Sequence, residues 1–172
     1  IEGLTEITEF ENLFASSEEE EKEQIVELPK EFVSLTDKTP GLTSTPALKY
    51  LEKRGISKKD ILKWKIGHCA SGEYKNRIII PSFNEDGKVN YFIARAYKDE
   101  FLKYKNPPAS KNIIFNELWI DWESPIVLVE GAFDAFKEEN MIPILGSTLR
   151  ENSKIFQKVI ENGCKIYLAL DS

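Results

Sequence analysis

The chain contains one histidine, two cysteines and one methionine in 172 residues. These scarcities exclude several chemistries. A structural zinc site takes about four closely spaced Cys or His ligands, whereas Cys69 and Cys164 lie far apart with only His68 to add. No disulfide framework can be built, so an intracellular, reduced protein is expected. No apolar run approaches the roughly 20 residues of a membrane span, and no basic-then-apolar leader opens the chain. A cytoplasmic protein without a membrane partner follows as the expectation.

What is present is unevenly distributed. The net charge is −6, yet residues 1–31 carry 11 acids against 2 bases, while residues 49–111 carry 15 bases against 7 acids. A basic middle beside an acidic site suits a polyanion partner; a solvated lysine-rich surface is the competing reading. In the acidic arm, Leu4, Ile7, Phe10, Leu13 and Phe14 have the spacing of a short amphipathic helix. A solvated charge run follows from Ser16 to Glu23. The expected organisation is an α/β chain: an acidic helical arm and tether over 1–27, a basic, mixed α+β subdomain over 28–123, and a parallel-sheet unit over 124–172.

Within the subdomain, residues 28–43 read as irregular, anchored by Phe32, Val33 and Leu35. Thr45-Pro46 reads as a helix start, a capping hydroxyl before a proline, with the helix ending at Gly55. Ser57 and Asp60 have capping-box spacing for a second helix through Trp64. The pair has a helix-turn-helix outline, but no distinctive recognition face, so two packing helices is the preferred reading. Arg77–Phe83 and Val89–Tyr97 read as a β-hairpin about the Asn84–Gly87 turn, with Arg77 and Arg95 flanking its apolar strands. Lys103-Tyr104-Lys105-Asn106-Pro107-Pro108 interleaves bases with an aromatic ring, which suits single-stranded nucleic acid or nucleotide phosphates. Ile113 to Trp122 is apolar and aromatic and should pack the first module onto the second.

The stretch Ile126-Val127-Leu128-Val129-Glu130-Gly131-Ala132-Phe133-Asp134 organises the rest. Its apolar run reads as a buried strand ending in a carboxylate and a glycine, followed by a helix over 132–140. Met141–Leu145 and Lys165–Leu170 repeat the pattern, the second closing on Asp171, with a helix over 150–162 between them. A β-α-β-α-β unit makes the strands parallel with right-handed crossovers. If the first and third strands are neighbours, Glu130 and Asp171 meet at the carboxyl edge, where α/β proteins build their sites. Glu130, Asp134 and Asp171 around one crevice would repel one another without a cation, and hard oxygen donors suit Mg²⁺ or Mn²⁺.

These motifs resemble those of a known family. Val129-Glu130-Gly131-Ala132-Phe133-Asp134, Leu145-Gly146-Ser147 and Leu168-Ala169-Leu170-Asp171-Ser172 are similar to the first half of a TOPRIM domain. That domain is shared by bacterial-type primases, topoisomerases and some nucleases. Ala47 to Ser57, Arg77 to Phe83 with Asp86-Gly87, Ala94-Arg95-Ala96 and Lys103 to Pro108 resemble, in order, the core of DnaG-like replicative primases. The tone of the sequence is close to tailed-phage primases, which would place the protein in a host cytoplasm.

The resemblance implies synthesis of a short RNA primer from ribonucleoside triphosphates on a single-stranded DNA template. A replicative helicase would be engaged through regions outside this chain. Glu130 would be the leading metal carboxylate and catalytic base, Asp134 a supporting carboxylate, and Asp171 the first Asp of a DxD pair. Arg77, Arg95 and Lys103 would line the basic groove, with Tyr104 and Asn106 beside them. The second Asp, the remaining TOPRIM strands and the zinc module of the family lie outside this sequence, so the chain alone should be weakly active or inactive. Lys105 stands where the family usually has an apolar residue. Alternatives are a TOPRIM nuclease or topoisomerase fragment, or an inactive nucleic-acid-binding module.

Overall fold

The computed structural model describes residues 23–37, 39, 41–146 and 152–170. The arm over 1–22 and Asp171 therefore lie outside the described residues. Two sheets make up the body. The first is antiparallel, in the order β1 (Phe32–Ser34), β2 (Gly67–Cys69), β3 (Arg77–Phe83), β4 (Val89–Ala96). The second is parallel, in the order β6 (Met141–Pro143), β5 (Ile126–Val129), β7 (Ile166–Ala169). Helices α1 (Thr45–Lys53) and α2 (Lys58–Lys63) link β1 to β2, and α3 (Lys154–Asn162) links β6 to β7.

The hairpin β3–β4 forms as its apolar strands and turn residues predict, and Asn84 closes its turn. The Asn84 Oδ1 accepts from the Lys88 amide at 2.7 Å, and the Gly87 amide donates to the Asn84 carbonyl at 3.0 Å. The capping box is present: the Asp60 amide donates to Ser57 Oγ at 3.2 Å, and the Ser57 amide to Asp60 Oδ2 at 2.8 Å. The cap expected at Thr45 is not. A 3-10 turn, Leu42–Ser44, runs straight into α1, and the N-cap is Ser44, which makes no side-chain cap bond. Its hydroxyl instead shares a 3.0 Å hydrogen bond with Nε2 of the buried His68.

Residues 28–43 are not irregular throughout, since they contain β1. The β1–β2 pair needs Gly67, because a Cβ there would run into the Phe32 ring and come within 2.6 Å of the Val33 carbonyl oxygen. Gly67→Ala should therefore cost about 1–3 kcal/mol of stability, read as a lower urea midpoint at unchanged slope.

His68 is neutral in the fold, because burial pushes its pKa down from its ordinary value. The unfolded chain then takes up a proton first as pH drops below about 6.5. Stability is full above that pH and falls as pH moves toward the lower folded value. Urea midpoints taken between about pH 7.5 and 5 should fall more steeply for wild type than for His68→Gln.

Residues 23–27 belong to the body rather than the arm. The Val26 amide donates to the Val89 carbonyl at 2.8 Å, and Gln24 Nε2 to the Asn90 carbonyl at 2.9 Å. At the other end of β4, the Ala96 amide donates to the Lys103 carbonyl, and the Lys105 amide to the Ala94 carbonyl, both at 2.9 Å. Two short extended segments thus occupy the free edge of β4, where open amides would otherwise invite pairing.

Alternation sorts the core. Ile78, Ile80, Tyr91 and Ile93 face α1, α2 and the turn after β5, in one cluster with Leu51, Trp64, Phe115, Val129, Ala132 and Ala135. Ile79, Phe92 and Ala94 face the opposite way, with Cys69 and Tyr74, and are covered by Val26, Leu28 and Phe32. On β5, Val127 and Val129 join the first cluster, while Ile126 and Leu128 pack with Ile155 and Val159 of α3. The segment 113–115 links the two, Ile113 and Phe115 on one side and Ile114 on the other. It packs the first module onto the second, as its composition predicts.

The helix expected over 132–140 is a single 3-10 turn, Asp134–Phe136. Ala132/Ala135 and Phe133/Phe136 repeat every three residues, the period of a 3-10 helix. All four side chains pack on the first cluster, and Phe136 lies 4.1 Å from the Trp64 ring, centroid to centroid. The next helix begins later than expected, at Lys154, where the hydroxyl of Ser153 accepts from the Phe156 amide at 3.3 Å.

Candidate active site

The strand β5 sits between β6 and β7, so the chain leaves it toward one side and returns on the other. In parallel sheets a crevice opens at such a point, beyond the carboxyl ends of the strands. Glu130 stands there. Register places Ala169 beside Val129, making the first and third strands neighbours as expected. A cleft of about 300 Å³ occupies the spot, lined by Glu130, Gly131, Ala132, Ile93, Tyr104, Asn106, Lys111, Leu145 and Gly146. The Glu130 side chain is exposed and has no hydrogen-bond or ion-pair partner among the described residues.

Asp134 comes from the same turn. Its amide donates to the Gly131 carbonyl at 3.0 Å, and a Cβ on Gly131 would lie 3.3 Å from Asp134 Oδ2. The carboxylate is half-exposed and paired with Lys137 Nζ at 2.7 Å. Among the described residues, no three His, Cys, Asp or Glu side chains gather closely enough to hold a metal ion. Asp171 is not among them, and the described carboxylates, Glu130 and Asp134, are oxygen donors of the type that Mg²⁺ and Mn²⁺ take.

The basic side of the site is narrower than the sequence implied. Register pairs Arg77 with Ala96 and Ile78 with Arg95, so the two arginines point to opposite faces of the sheet. Arg77 is buried and donates to the Leu102 carbonyl at 2.8 Å and the Lys103 carbonyl at 3.4 Å. It braces the loop and does not face the cleft. Tyr104 bridges to Arg95 across the edge of β4 and shares its face. Lys103 and Lys105, one residue to either side, alternate away from it. Lys105 Nζ lies 3.1 Å from the Glu73 carboxylate and 5.6 Å from the Tyr74 ring centroid, on the face remote from the carboxylates. Lys103 is exposed and does not line the cleft. Asn106 lines the cleft, and its Oδ1 accepts from the Ala94 amide at 3.1 Å.

Arg95 is the hub. It is 7% exposed, its Nε donates to the Tyr50 hydroxyl and its NH1 to the Tyr104 hydroxyl. Its guanidinium also lies 4.9 Å from the Tyr104 ring centroid and 5.1 Å from that of Phe133. Arg54, the C-cap of α1, lies 5.1 Å from the same Phe133 ring and 5.2 Å from Tyr50. Two guanidiniums thus hold the aromatic residue between the two carboxylates. Neither forms an ion pair among the described residues. Sequence reading missed Arg54, Tyr50, Phe133 and Lys111 as site residues. The available signals were Tyr50 and Arg54 at i,i+4, and an aromatic residue set between Glu130 and Asp134.

No family model matches the chain. A curated relative, the DNA primase of Staphylococcus epidermidis, is 26% identical over 136 residues, covering 66% of this chain and 22% of that protein. The chain thus spans about a fifth of that relative's length. A solved DnaG primase catalytic domain bound to single-stranded DNA superposes with a TM-score of 0.62 at 17% identity, over 74% of this chain and 56% of that one. The chain carries the fold of the DnaG primase catalytic core. Two further structures agree. The Aquifex aeolicus primase, with zinc-binding and RNA polymerase domains, gives a TM-score of 0.60 at 23% identity, over 73% of this chain and 42% of that one. The RNA polymerase domain of Mycobacterium tuberculosis DnaG gives 0.60 at 16% identity, over 76% and 60%. In this DnaG-like core, the antiparallel sheet presents Arg95 and the parallel sheet presents Glu130.

Proposed function

We propose that this chain is the leading part of a DNA primase catalytic core, including the first half of a TOPRIM domain. The observation that carries the reading is Glu130 at the carboxyl end of the central parallel strand. It opens into a cleft whose other walls hold Tyr104 and Asn106, with Arg95 and Arg54 seated on Phe133 of the same turn. The parent protein makes short RNA primers from ribonucleoside triphosphates on single-stranded DNA, and meets its replicative helicase through segments outside this chain. Glu130, Asp134 and Asp171 are the candidate ligands of Mg²⁺ or Mn²⁺. Such an ion, when bound, neutralises charge that develops on phosphoryl oxygens. The protein's own groups do the rest. The Glu130 carboxylate accepts a proton at the reacting hydroxyl, and the buried Arg95 positions the Tyr104 hydroxyl in the cleft wall.

The test is template-directed incorporation of ribonucleotides on single-stranded DNA by the protein that contains this chain. Incorporation that needs a divalent cation and stops without template supports the reading. Cleavage of the DNA with no incorporation replaces it with the nuclease alternative.

A further inference from the structure

Among the described residues the cleft holds two charged side chains, Glu130 and a lysine, without a partner of opposite sign, and only Glu130 belongs to the motifs read from the sequence. The other is Lys111. It lines the cleft and its Nζ donates to the Leu145 carbonyl at 3.0 Å, with no ion pair among the described residues. An ammonium has three donors, so this contact leaves two for a ligand. The acceptor is in an unusual place. Leu145 has φ +56° and Gly146 φ +69°, and the Leu145 amide donates to the Glu130 carbonyl at 3.2 Å. A non-glycine residue held at positive φ is strained, and strain of this kind clusters at ligand sites. Lys111, the Leu145 peptide and the Glu130 backbone therefore form one connected wall. Lys103 and Lys105, the two lysines of the basic loop motif, do not line the cleft.

We infer that Lys111 is the phosphate-binding cation of this cleft, resting on the Leu145 carbonyl and turning its remaining donors to a phosphate oxygen. The inference rests on the cleft being the nucleotidyl-transfer site. Phosphate could come from a nucleoside triphosphate or from the backbone of single-stranded DNA, and the test separates them.

Two probes are titrated into the chain: ATP with Mn²⁺, and a single-stranded oligothymidylate at two salt concentrations. Lys111→Ala and Lys111→Gln should each weaken binding by about tenfold, the loss of one charge-assisted hydrogen bond. That loss should exceed the loss in Lys103→Ala, while Lys111→Arg keeps most of the affinity. Glutamine is the critical variant: it can still donate to the Leu145 carbonyl but carries no charge. A loss confined to ATP assigns the phosphate to the nucleotide. A loss confined to the oligonucleotide, with a shallower salt slope, assigns it to the strand. Either supports the inference. It is overturned if Lys111→Gln binds like wild type while Lys111→Ala does not, since the lysine then only positions the turn. Unchanged binding of both probes by Lys111→Ala overturns it while leaving the primase reading intact. A wild-type chain that binds neither probe overturns both.

Discussion

Glu130→Gln should abolish divalent-cation binding in the cleft. The substitution keeps the shape of the side chain and removes its charge, and a neutral amide is a poor ligand for a hard cation. In the primer-synthesis assay the expected loss is about 10³-fold or more, matching several kcal/mol of charge stabilisation. Stability should move by no more than about 0.5 kcal/mol, because the side chain is exposed and unpaired. Mn²⁺ titration followed by electron paramagnetic resonance, with a urea melt as control, reads both. Asp134→Asn should do less, since Lys137 already holds that carboxylate in a surface pair at 2.7 Å. Full synthesis by Glu130→Gln would show that the carboxylate has no part in the chemistry.

The second large effect is expected at Arg95. Alanine there leaves the hydroxyls of Tyr50 and Tyr104 without their donor and strips a guanidinium from the Phe133 and Tyr104 rings. Losing two part-buried charge-assisted bonds and two cation–π contacts should cost about 2–4 kcal/mol. Lysine should rescue little, because a point charge cannot meet two hydroxyls and two ring faces at once. Urea unfolding gives the stability term. Oligonucleotide titration gives the other, where affinity should fall with a shallower salt slope. A stable Arg95→Ala protein with wild-type affinity would remove this residue from both roles.

Much of this was legible in the chain. The hairpin, its Asn84–Gly87 turn, the Ser57–Asp60 cap and the three parallel strands each follow from a local pattern strong enough to survive packing. Glu130 at the carboxyl edge followed from the same logic. What stayed hidden depended on distant partners. β1 and β2 have three residues each, and Gly67-His68-Cys69 has no strand-forming bias; Ile78, Ile79 and the neighbouring Phe32 impose the pairing. The turn after β5 took the 3-10 form because Trp64, far away in sequence, receives Phe136. Arg77 and Arg95 look alike in the sequence, and only the register reveals that one faces inward to backbone carbonyls and the other toward Phe133. The contact of Lys111 was illegible for a similar reason, since its partner Leu145 lies in the turn after β6, 34 residues along the chain.

The seating of Phe133 between Arg54 and Arg95 also separates two kinds of electrostatics. Attraction to a long polyanion fades as ionic strength rises, whereas the buried Arg95 resting on the ring is screened far less than the exposed Arg54. Brine strong enough to strip any bound polyanion should therefore leave Arg95 on Phe133 and the Glu130–Asp134 turn where they were. Emptying and refilling the cleft need not involve any re-gathering of its parts.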